Sequence, residues 1–66
     1  MTTLFVYNQY SMECVARIEG STNAYCESMF NDRFGCCDDF AATYSPAFGV
    51  DGGLVAGENV EDIDAE

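Results

Sequence analysis

The sequence predicts a small α+β domain of element order β-β-α-β(β), with one helix packed on a mainly antiparallel sheet. Three observations lead there. Sixty-six residues support one domain and one small core. A hydrophobic fraction of 48%, including five phenylalanines and four tyrosines, supplies material for that core despite a net charge of −10. Disordered acidic segments lack such aromatic content, because they cannot bury enough apolar surface to offset backbone entropy. Finally, the apolar spacing changes along the chain from period two to helical and back.

Thr3-Leu4-Phe5-Val6-Tyr7 is β-branched and aromatic and predicts a first strand, followed by a polar turn over Asn8–Ser11. From Met12 the chain alternates. Met12, Cys14, Ala16 and Ile18 fall on one side, and Glu13, Val15, Arg17 and Glu19 on the other, which predicts a half-buried second strand and a hairpin over 3–18. The rival for 12–18 is a short helix capped by Ser11. Ser21, Thr22 and Asn23 then offer three N-caps. Tyr25, Cys26, Met29, Phe30 and Phe34 follow at helical spacing, so a helix is predicted over 22–34. Arg33 suits its last turn, and Gly35 suits a left-handed stop. Phe40–Tyr44 reads as a third strand ended by Pro46. Phe48–Val50 and Leu54–Ala56, flanking Asp51-Gly52-Gly53, read as a terminal hairpin.

Charge divides the chain again. Glu58, Glu61, Asp62, Asp64 and Glu66 put five carboxylates and no cation into the last nine residues. A compact acidic domain over 1–57 and a flexible acidic tail over 58–66 are therefore expected. No basic leader and no long apolar run is present, which predicts a soluble, cytoplasmic chain with no membrane partner and reduced thiols.

Composition excludes much chemistry. Twelve carboxylates face two arginines, Arg17 and Arg33, with no lysine and no histidine. Schiff-base chemistry, a phosphate-binding lysine, the commonest general base and the commonest metal ligand are all missing. Two arginines cannot make a basic surface, so direct nucleic-acid binding is not expected. Cys14, Cys26, Cys36 and Cys37 lack the close pairing of a zinc knuckle, and no C-x-x-C redox pair occurs. Cys14 and Cys26 read as small core residues facing in from strand and helix, and Cys36 and Cys37 as connector thiols. Asp38-Asp39, or Glu13 with Glu27, could pair for acid–base work, but no nucleophile or oxyanion site accompanies them. Asp38, Asp39 and Asp51 lack the alternating spacing of a calcium loop. No enzyme, cofactor or metal is expected.

The charge remains to be explained. It exceeds what solubility asks of a small domain and repels the compact state from within. Ten charges equal those on about 17 Å of duplex DNA, at one per ~1.7 Å. Glu13, Glu19, Glu27, Asp32, Asp38, Asp39 and Asp51 are the candidates for an acidic surface complementary to a basic groove. Tyr7, Tyr10 and Tyr44 are candidate aromatic contacts. In size, acidity and element order the chain resembles the nucleic-acid-mimic inhibitors that bacteriophages encode. The stretch Val15-Ala16-Arg17-Ile18-Glu19-Gly20-Ser21-Thr22-Asn23-Ala24-Tyr25 is similar in style to small anti-CRISPR proteins. That resemblance implies a non-enzymatic inhibitor acting in an infected bacterial host. It would cover the nucleic-acid site of a basic complex, a Cas effector blocked from target DNA being the expected partner. The other expectation is a small structural or adaptor protein that binds through an aromatic and apolar patch, with acidity serving solubility.

Overall fold

The computed structural model describes residues 1–35 and 38–66. Strands β1 (Thr2–Asn8) and β2 (Glu13–Gly20) form an antiparallel hairpin. Its turn is organised by Asn8, whose Oδ1 accepts from the Tyr10 and Ser11 N–H groups at 2.8 and 3.1 Å. The Asn8 carbonyl accepts from Met12, which takes a φ of 60° to bring the chain round. Residues 13–20 are thus strand, and the rival helix over 12–18 does not form.

Helix α1 (Asn23–Phe34) crosses one face of the sheet, and strands β3 (Phe40–Thr43) and β4 (Glu61–Asp64) complete it. The order is β3-β1-β2-β4. β1 pairs antiparallel with both β2 and β3, whereas β4 runs parallel to β2. The result is a small α+β domain with a mixed, mainly antiparallel sheet, 32 × 25 × 18 Å in extent. Among the described residues no helix is long and apolar enough to cross a membrane.

Leu4, Val6, Ala16, Ile18 and Ile63 point from the sheet toward Cys26 of the helix and make the main core. Phe30, Phe34 and Phe40 line its rim, with ring centroids 5.9 and 5.3 Å apart. The pairing slips between Val6 and Tyr7: Val6 faces Ala16, but Tyr7 faces Cys14. Val15 is the extra residue of a β-bulge, which bends the strand and breaks its alternation. The predicted single apolar side of β2 is corrected accordingly. Ala16 and Ile18 face the helix, Val15 joins their cluster, and Cys14 turns to the opposite face, where with Phe5 and Phe48 it lines a cleft.

Three further expectations change. Thr22 caps α1, its Oγ accepting from the Tyr25 N–H at 3.4 Å, but Tyr25 itself is exposed rather than packed. Gly35 stays right-handed, at φ −69°, and its N–H reaches the Asn31 carbonyl. The segment 44–60 is no hairpin. It folds over the outer face of the sheet, joined by one Phe48–Leu54 bridge, with Phe48 edge-on to Phe5 at 6.1 Å. Val55 then bonds to Met12 and Cys14 at the start of β2.

The largest correction concerns the expected tail. Residues 61–64 lie in register along β2, with Ile63 buried opposite Ile18. Beyond them the Ala65 N–H donates to the Glu19 carbonyl. The Glu66 carboxylate accepts from the Ser21 backbone N–H and hydroxyl at 2.8 and 2.9 Å. Burial of Ile63 and completion of the β2 ladder outweigh the like charges that this segment brings alongside Glu19. The predicted connector thiols Cys36 and Cys37 lie outside the described residues.

Candidate interaction surface

β4 distributes its side chains by parity. Ile63 faces the core and Glu61 faces the helix side, where it meets Arg33 at 2.8 Å. Asp62 points to the outer face and meets Arg17, its register partner on β2, at 2.9 Å. Asp64 lies beside Glu19 on that same outer face. Adjacent strands are about 4.8 Å apart, and same-face residues along a strand about 6.6 Å. Glu19, Asp62, Asp64 and Glu66, with Arg17 and Met1, thereby line one open depression of about 400 Å³.

Of the seven acidic residues singled out in the sequence, only Glu19 belongs to this group. The others are exposed and dispersed. Glu13 stands at the start of β2, next to Gly57, where the chain passes so close that an added Cβ would lie 2.3 Å from the Cys14 carbonyl oxygen. Glu27 and Asp32 lie on α1, and Asp51 at the tip of the 44–60 segment. Asp38 and Asp39 precede β3; their carbonyls accept from the Gln9 side chain and backbone respectively, tying this corner to the hairpin turn. Sequence reasoning passed over Asp62, Asp64 and Glu66. The usable signal was the alternation of Asp62, Asp64 and Glu66 with Ile63 and Ala65, a half-buried strand pattern.

Both arginines are engaged at β4. Among the described residues, ten of the twelve carboxylates therefore have no cation partner. The two ion pairs are solvent-exposed and worth about 0.2–1 kcal/mol each, so they position β4 more than they stabilise the fold.

The aromatic candidates separate as well. Tyr10 projects from the hairpin turn, 77% exposed. Tyr7 is half-buried on the outer face, between Cys14 and Ala41. The Tyr44 hydroxyl donates to Glu27 at 3.0 Å. Its pKa is raised above 10.0, first by desolvation and then by the Glu27 carboxylate, so the phenol stays a donor through the neutral range. Apolar surface is exposed at Phe48, Val50 and Val55 of the covering segment.

Cys14 and Cys26 are both buried, but on opposite faces of the sheet, so the two cannot share a metal ion. Burial is the main cause that raises the Cys26 pKa, with Glu27 and Glu66 adding to it, which keeps this thiol protonated and a poor ligand or nucleophile. Comparison with known protein families, with curated proteins and with solved structures finds no match to this chain.

Proposed function

We propose that the protein is a non-enzymatic binding module that occupies the nucleic-acid-binding surface of a basic protein or complex. One observation carries this reading. Among the described residues, ten carboxylates without a cation partner project from a folded scaffold whose two arginines are both held at one edge strand. A duplex as long as the 32 Å body carries about 19 phosphate charges, so the protein has about half the charge density of DNA. That is enough to steer a basic groove toward it and to hold it there by displaced counterions. Within the class the sequence resembles, the reading becomes an anti-CRISPR inhibitor that keeps a Cas effector from target DNA.

Competition binding tests it. A labelled target duplex bound to a purified Cas surveillance complex is titrated with the protein at about 50 mM and 200 mM salt. The expected result is displacement of the duplex, together with direct binding of the labelled protein to the DNA-free complex that weakens about tenfold or more at the higher salt. Joint replacement of Glu19 and Asp64 by Gln and Asn should weaken it again. Failure to displace DNA at either salt would overturn the Cas assignment. Direct binding that ignores both salt and these substitutions would overturn acidic mimicry itself.

The exposed Phe48, Val50 and Val55 favour the second reading, an adaptor with an apolar contact. Binding of that kind is nearly salt-independent and is lost on Phe48→Ser.

A further inference from the structure

The two edges of the sheet are built differently. β4 carries Glu61, Asp62 and Asp64, and two arginines grip it from both faces. Charges of this kind protect an edge against pairing with another chain. β3 is Phe40-Ala41-Ala42-Thr43, with no charge, proline or bulge among its four residues. It pairs with β1 on one side, and no strand of the described residues lies beyond it. Among the described residues no backbone hydrogen bond engages its outer side, which leaves a four-residue template.

The side chains around β3 indicate what fits the template. Ala41 and Ala42 are small, and between β3 and α1 runs a groove of about 270 Å³ lined by Leu4, Glu27, Phe30, Asn31, Ala42 and Tyr44. Glu27 is held in place there by the Tyr44 hydroxyl. Asp38 and Asp39 flank the start of the strand, anchored through their carbonyls to Gln9. Among the described residues none of these three carboxylates has a cation partner, because Arg17 and Arg33 are both engaged at the far edge.

We propose that the β3 edge adds an extended Lys- or Arg-bearing strand of the partner protein. Backbone pairing to Phe40–Thr43 supplies the attachment, and basic side chains at alternate positions meet Glu27 in the groove and Asp38 or Asp39 at its end. The basic character of the partner rests on the function proposed above; the pairing rests on the bare edge. A second copy of the chain is the poorer occupant. It would bring another net −10 and a second set of the same carboxylates to the seam.

The probe is a short acetylated peptide alternating Lys and Thr, titrated into the ¹⁵N-labelled full chain. Its control is the same peptide N-methylated at every second residue, which keeps the charge and removes the donors of one edge. The expected result is amide shifts centred on residues 40–43 with smaller shifts at Glu27. The methylated peptide should bind about tenfold more weakly. Ala41→Lys in the full chain, verified as folded by its amide spectrum, should weaken the unmodified peptide similarly. Equal binding of both peptides, with shifts spread over Glu19, Asp62 and Asp64, would overturn strand addition and leave the acidic-surface reading standing. No binding of either peptide at low salt would overturn both. A concentration-dependent dimer of the protein alone, abolished by Ala41→Lys, would assign the edge to a second copy and overturn the proposal.

Discussion

The two faces of the sheet are buried by different means. On one, Leu4, Val6, Ala16, Ile18 and Ile63 meet a twelve-residue helix that has its own cap and its own hydrogen bonds. On the other, Phe5 and Cys14 lie under an irregular segment secured by the Phe5–Phe48 contact and by two backbone hydrogen bonds, from the Val55 N–H to the Met12 carbonyl and from the Cys14 N–H to the Val55 carbonyl. The acidic end of that outer face, around Glu19, Asp62 and Asp64, is left open. Stability is thus concentrated on the helix side. The outer face carries like charges and exposed apolar groups beside the smaller buried set of Cys14 and Leu54.

The sharpest way to break this comparison is at its strong side. A chain of this length is stable by about 3–10 kcal/mol. Ile18 is wholly buried on the helix face, and Ile18→Ala should cost about 2–5 kcal/mol, read as a large drop in the urea midpoint or as outright unfolding. Leu54→Ala, in the covering segment, should cost about 2 kcal/mol, the low end of that range, since an irregular loop can collapse around the lost volume. Its effect should also be local, with faster hydrogen exchange at the Cys14 and Val55 amides and little change in β1. Equal, global effects of the two substitutions would mean that the faces form one cooperative core.

Smaller effects sharpen the picture at the margins. Arg33→Gln removes the ion pair on the helix side of β4 and Arg17→Gln the one on the outer side. Each should cost about 0.2–1 kcal/mol in low salt and less in high salt. A markedly larger loss for either would show that one face alone holds the strand. The smallest effect belongs to Tyr44. Folding raises its pKa above 10.0, so the folded state holds the proton more tightly than the unfolded chain. Its contribution is fully present below 10.0 and is lost as pH rises through the folded-state value. Wild type should therefore lose stability faster than Tyr44→Phe in alkali, as measured by urea midpoints; parallel decline of the two would sink the assignment.

Local elements were legible because their side chains spell their period. β1, β2, the Thr22 cap, α1 and β3 all follow from β-branched alternation, capping residues and helical spacing. The bulge was not legible. Cys14, Val15 and Ala16 are all compatible with burial, so an extra residue at Val15 leaves the pattern unchanged while reversing the facing of Cys14. β4 was hidden by its composition, since Asp and Glu are poor strand formers and Ile63 is its single large apolar residue. Its docking depends on contacts far apart in the chain, such as Ser21 to Glu66 across 45 positions, which no local window contains. For the same reason Glu19 was identifiable from the sequence as a surface carboxylate, but its grouping with Asp62, Asp64 and Glu66 was not.

The reversal at Val15 leaves the protein with two native chemical reporters. Cys14 and Ala16 are two residues apart, yet Cys14 is shielded by the covering segment and Cys26 by the helix layer. With Cys36 and Cys37 replaced by serine, the rate at which each remaining thiol becomes open to alkylation would time the opening of its own layer. The molecule's two halves could then be followed separately without introducing a label.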